Sequence, residues 1–259
     1  MEIGPRWHRF AYSKWVLFCA AAGITALLIS VVISIHDFLA VHKPVGEGIL
    51  VVEAWIPAQT LAESARAFQL GHYRCLAVVG GPIPGMSSQS NDSMTYADLA
   101  ATRLRNFGID SDKLVQIKVP AQPTGFRTLA SAAAVKRWLD SSRTSVFCVD
   151  VFTVGVHARK SWVFFRYALG DRYRVGIIAG SEASYDRSRF WFFSTRGIWI
   201  FARSLAGYVY SKVWTLSDGK TAPYLSPRET LAMFSSAGPG GAHLTPAKIL
   251  PFEYSRRSV

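Results

Sequence analysis

The chain has 259 residues, half of them hydrophobic, and a formal net charge of +12. That length suits one globular domain with additions, or two small domains, and the positive balance points to an anionic partner: nucleic acid, acidic lipid head groups or a phosphorylated ligand. Its three cysteines stand in no metal-ligand spacing, and so few argue against a disulfide framework, although a Cys75–Cys148 bridge stays open for a domain outside the cytoplasm.

The first element is apolar. No charge occurs from Trp15 to Ile35, about 21 residues, enough to cross a hydrocarbon core of roughly 30 Å. Arg6, Arg9 and Lys14 precede it, whereas Asp37, Lys43 and Glu47 follow. The excess of basic residues before the run predicts a cytoplasmic segment over residues 1–14, a transmembrane helix over 15–35, and everything after residue 40 outside. Trp15 and Phe38 then sit near the two interfaces. A cleavable signal peptide is the competing reading, although its apolar core usually runs only about 7–15 residues.

After a short linker, Ala40 to Gly48, the pattern alternates. Ile49–Glu53 reads as a strand, Pro57–Gly71 as a helix with Leu61, Ala65 and Phe68 on one face, and Arg74–Gly85 as a strand ending in a Gly-Gly loop. Asp92–Gly108 reads as a helix capped by Asp92 or Ser93. "KLVQIKVP" is a third strand, "GFRTLASAAAVKRWLD" a helix, "TSVFCVDVFTVG" a fourth strand, "HARKSWVFFRYALG" a helix, and Tyr173–Gly180 a fifth strand. Strands alternating with helices predict an α/β fold: a Rossmann-like, doubly wound parallel sheet over residues 46–215, preceded by the one membrane helix. Arg187–Trp214 is an aromatic helix with Ile198, Phe201, Leu205, Tyr208 and Val209 on one face and Arg189, Arg196 and Arg203 on another. It packs on the sheet with a solvated basic edge, or lies near an anionic bilayer surface. Residues 216–259, rich in Gly, Pro and Ser, read as a mobile tail.

Ligands of open α/β sheets bind beyond the carboxyl ends of the strands. Those ends carry Glu53, Gly80, Gly81 and the segment Thr153 to Lys160, which places His157, Arg159 and Lys160 where a strand hands over to a helix. A helix N-terminus disfavours cations unless an anion binds between them, so the cluster reads as a phosphate or pyrophosphate site, against the alternative that Arg159 and Lys160 point into solvent. Gly80 and Gly81 let backbone approach a ligand, or simply make a turn; Thr128 either donates to a phosphate or caps its own helix. Glu53 is a general base, a binder of sugar hydroxyls, or a solvated strand-end acid. Asp150, inside a strand, needs a buried partner or an edge. Neither GxGxxG nor a P-loop is present, and the scattered histidines argue against a metal centre.

Four segments together resemble the YdcF-like family, which includes the SanA- and ElyC-type envelope proteins: "ILVVEAWIP", "YRCLAVVGG", "RTLAS" and "TVGVHARKS". The resemblance covers about residues 48–180. It implies a Rossmann-like fold, anchoring in a bacterial plasma membrane and a part in cell-envelope upkeep, with Gly80, Gly81, Thr128, Thr153 and His157 as the matching site positions.

The leading expectation is therefore an envelope protein that binds or processes a phosphorylated precursor, lipid-linked ones included. Arg159 and Lys160 would hold the phosphate, with His157 as acid or base. The alternatives are a cytoplasmic-facing binder of a nucleotide-like cofactor such as S-adenosylmethionine, with Glu53 on the ribose, and a non-catalytic membrane-tethered scaffold. Nucleic acid is not an expected partner, because the charge is spread and no recognition motif occurs. Cofactor and oligomeric state are left open by the sequence.

Overall fold

A computed structural model of the chain describes residues 14–83, 94–120, 127–142, 146–182 and 191–217. In chain order its elements are α1 (Lys14–Leu39), β1 (Glu47–Glu53), α2 (Ala58–Leu70), β2 (His72–Gly80), α3 (Tyr96–Asn106), β3 (Leu114–Lys118), α4 (Arg127–Ser141), β4 (Cys148–Val154), α5 (Ala158–Leu169), β5 (Arg174–Gly180) and α6 (Thr195–Leu216). Single turns of 3₁₀-helix at Gly155–His157 and Trp191–Phe193 precede α5 and α6. Asp92, Ser93, Arg189 and the tail beyond Ser217 lie outside the described residues.

The five strands form one all-parallel sheet of order β3-β2-β1-β4-β5. Side chains alternate between the two faces of a strand, and both faces are covered here, which is why the strands read as unbroken apolar runs. Leu50, Val52, Leu76 and Val78 pack against Leu61 and Phe68 of α2 and Ala97 and Leu104 of α3. Val51, Ala77, Val149 and Val151 face Ala130 and Val135 of α4 and Phe165 and Leu169 of α5. The chain winds outward from β1 to β3 and then crosses back to β4. The order therefore reverses between β1 and β4, and the strand-end crevice forms at that point.

Among the described residues, the one helix long and apolar enough to cross a membrane runs from Trp15 to Leu39. It extends past Ile35, where the uncharged run stops, because its last turn is seated on the domain. Leu39 is buried with Val156 and Phe201. The segment after it is a strap rather than a free linker. Lys43 and Ile177 exchange backbone hydrogen bonds of 2.8 and 3.0 Å. Asp150, fully buried in β4, accepts from Val45 N–H (2.7 Å), Gly46 N–H (2.8 Å) and the Tyr73 hydroxyl (2.6 Å). These donors are the buried partners that the sequence required of Asp150. Gly176 beside it leaves room, since a Cβ there would stand 1.9 Å from Asp150 Oδ1.

One expectation is corrected and one open alternative is closed. Helix α3 starts at Tyr96, later than Asp92 or Ser93, because Thr95 forms a capping box: its Oγ1 accepts from Asp98 N–H at 3.2 Å and its own N–H donates to Asp98 Oδ2 at 2.9 Å. Cys75 and Cys148 are free. They lie on the strands flanking β1, about 9–10 Å apart at two strand spacings, beyond the roughly 7 Å limit between Cα atoms of a bridge.

Candidate functional site

Glu53 ends β1, and its side chain is fully covered, at 1% exposure. The Ser161 hydroxyl in the first turn of α5 donates to its Oε2 at 2.7 Å. Thr153, from the end of neighbouring β4, is also fully buried. Adjacent strand ends at the switch point thus bring these groups together. Burial raises the Glu53 pKa above the usual carboxylate range, because the charged form loses its water; Thr153, Ser161, Lys160 and Trp55 pull the other way without winning.

His157 sits in the 3₁₀ turn between β4 and α5, with the edge of its ring against Trp55 at 4.8 Å between centroids. The residue as a whole is partly exposed, but Nε2 is sealed from solvent, and titration follows the nitrogen. Burial first, then the positive charges of Lys160, Arg203 and Arg127, push its pKa down to about 3. The imidazole is therefore neutral at ordinary pH. The Lys160 pKa is lowered as well, by burial first; Glu53 opposes this, while Arg203 and Arg127 add to it. Lys160 lays its stem along α6, where a Cβ on Gly207 would come within 3.1 Å of its Cδ.

Three cations from three helices thus surround one neutral histidine, beside one buried acid. Three shielded atoms there lack a partner by strict hydrogen-bond geometry, Glu53 Oε1, Thr153 Oγ1 and His157 Nε2, although Thr153 and Trp55 lie close enough to Glu53 to lower its pKa. Buried polar atoms usually find partners, so a set of three in one place marks a position suited to a polar ligand.

The other expected residues fall elsewhere. Arg159 is turned to α1, donating Nε–H to the carbonyl of Phe38 with its guanidinium 3.9 Å above the Phe38 ring. It caps the end of α1. Gly80 is packed rather than open: a Cβ there would meet Ala54 Cβ and Tyr96 Cβ, each at 2.9 Å. Gly81 accepts from Tyr96 N–H at 2.9 Å, so the pair seats the start of α3. Thr128 is buried in the first turn of α4. On the far side of Gly155, a cleft of about 210 Å³ separates the end of α1 from the end of β5, lined by His36, Asp37, Gly180 and Glu182 among others.

Sequence reasoning missed Ser161, Trp55 and Arg127 as site residues, and placed Arg203 only on the basic edge of the last helix. For Ser161 a signal existed. Residues three and four apart share a helix face, so His157, Lys160 and Ser161 belong together and Arg159 does not. Arg203 had none, because only the fold brings α6 over α5. The chain matches no family model, no curated protein and no solved structure.

Proposed function

We propose that this is a membrane-anchored protein that binds or processes a phosphorylated precursor of the cell envelope, free or lipid-linked, in the strand-end site. The observation that carries the reading is the sealed His157 Nε2, which carries no hydrogen bond, at a strand end where Lys160 packs between α5 and α6 and Arg127 and Arg203 add positive charge. Such a field suits an anion with hydroxyl or phosphoryl oxygens to share. The resemblance of four segments to the YdcF-like family supports an envelope setting in a bacterial plasma membrane. The basic residues before α1 support an orientation with the N-terminus inside and the domain outside.

The charges suggest a sequence of events. An empty site holds His157 neutral. A bound phosphate or diphosphate offsets the three cations and raises the His157 pKa, with burial left as the opposing effect, which favours proton exchange at this ring. Glu53, with its raised pKa, is the second proton-carrying group, oriented by Ser161. Lys160 holds the anion, with Arg127 and Arg203 adding charge from the rim.

The test uses the full chain in nanodiscs, titrated with inorganic pyrophosphate, a polyprenyl diphosphate and S-adenosylmethionine. Binding of both diphosphates is expected. Binding of S-adenosylmethionine alone would overturn the reading. A periplasm-active reporter fused after residue 217 is expected to be active; a fusion active only in the cytoplasm would reverse the orientation.

A further inference from the structure

Helix α6 carries apolar residues on the face it turns away from the protein as well as on the face it packs. Its buried residues are Gly197, Phe201, Ser204, Ser211 and Trp214, whereas Ile198, Trp199, Val209, Tyr210, Val213 and Leu216 point outward with exposures between 42% and 76%. At 100° per residue those six positions fall within an arc of about 120°. Arg196 and Arg203 lie on one margin of the arc and Lys212 on the other. No acidic residue occurs from Trp191 to Ser217. The turn before the helix adds Phe193, exposed at 77%. Among the described residues α6 is not apolar enough to count as a second span. An apolar face edged by cations and rich in aromatic residues is the make-up of a helix lying in a membrane interface.

Its position relative to α1 names the occupant. His36 stacks on Phe201 at 5.8 Å, and Phe38 meets Tyr208 edge-on at 5.3 Å. Seven residues along α6, roughly 10 Å, match two residues along α1, roughly 3 Å. Helix α6 therefore runs across the emerging end of α1 rather than beside it. With α1 spanning the bilayer, α6 lies close to the membrane plane, at the depth where α1 leaves the hydrocarbon. Ile198, Val209 and Leu216 stand on the side of α6 opposite Gly207, the residue that seats Lys160.

We propose that the outer face of α6, together with Phe193, is a second membrane contact, immersed in the interface of the leaflet from which α1 emerges and attracted there by anionic head groups. The two ring pairs join α6 to the span along the flank beside this face, and its basic margins complement an acidic surface. The same helix brings Arg203 toward His157 and Lys160. The strand-end site is thereby held at head-group level. This inference rests on α1 being the span, and is independent of which ligand the site takes.

Spin labels on single cysteines in the full chain test it, with Cys19, Cys75 and Cys148 replaced by serine. The label sites are Trp199→Cys, Val213→Cys, Ile24→Cys in the middle of α1, and Leu70→Cys at the far end of the sheet. In vesicles of phosphatidylcholine with phosphatidylglycerol, accessibility to oxygen is compared with accessibility to a water-soluble nickel chelate. The oxygen-to-nickel ratio at 199 and 213 should lie between those of positions 24 and 70, and several-fold above that of position 70. A ratio equal to that at Leu70 would overturn the proposal. So would shielding from both reagents with dipolar broadening, which would put a second copy on the face. A water-like reading at Ile24 would remove the span on which the inference depends, while leaving diphosphate binding to be judged separately.

Discussion

The depressed pKa of His157 makes folding stability depend on pH in a way that can be isolated. In the folded chain the ring titrates at about 3, against 6.5 for an unperturbed imidazole. Between those values the unfolded chain binds more protons than the folded chain. His157 therefore contributes full stability above pH 6.5, and that contribution is lost as pH falls through the window. At about 1.4 kcal/mol per pH unit, the gap corresponds to about 5 kcal/mol if the imidazolium is wholly excluded. The residue as a whole is partly exposed, and screening by water lowers the observed loss to about 2–3 kcal/mol between pH 7 and 4. Glu53 acts with the opposite sign: its raised pKa adds stability when protonated and removes it as pH rises through the folded value. The comparison must therefore be a difference. Urea unfolding of the full chain in detergent, followed by tryptophan fluorescence, is run on wild type and His157→Gln at several pH values. Wild type should lose about 2–3 kcal/mol more than the variant on acidification. Superimposable pH profiles would refute the reasoning, because they would mean that neither burial nor the three cations acts on His157.

Ser161→Ala removes the 2.7 Å donor from the buried Glu53 carboxyl. It should cost about 1.5–3 kcal/mol near pH 8, with a smaller cost at acid pH, read in the same unfolding assay. Asp150→Asn replaces an acceptor of three hydrogen bonds with a group that must turn an amide toward a donor. A loss of about 2–4 kcal/mol is expected, and limited proteolysis should cut faster between residues 40 and 46. Arg159→Ala removes the cap on α1 and should leave pyrophosphate affinity unchanged, since its guanidinium is engaged with Phe38. A large fall in affinity would return Arg159 to the ligand.

Much of the fold was legible because burial on both faces leaves its mark on strands. Runs such as "ILVV" and "LAVV" are continuous, and both lie in the core at less than 2% exposure. Helix bounds were less legible. The Thr95-x-x-Asp98 capping signature was present, but Asp92 and Ser93 offered earlier caps of equal chemistry, and only packing against Gly80 chooses between them. The site was half legible. Strand ends named Glu53, Thr153 and His157, since the carboxyl edge of a parallel sheet is where ligands bind. Proximity in sequence suggested Arg159 with Lys160, whereas helix geometry separates them. Arg203 joins the site through the packing of α6 on α5, which no local pattern records. The same holds for the outer face of α6. Periodicity grouped Ile198 and Val209 with Phe201, Leu205 and Tyr208, but an apolar stripe does not say which part of it meets the protein. In the fold Phe201 is buried at 3%, while Ile198 and Val209 stand out at 48% and 51%.

Pyrophosphate titrated calorimetrically into the full chain, as wild type and as Lys160→Met, tests the account most directly. The account predicts binding to wild type that weakens with salt, and a loss of at least about tenfold in the folded variant, worth about 1.4 kcal/mol. Equal affinity in two folded proteins, or heat from neither, would contradict an anion site built on Lys160.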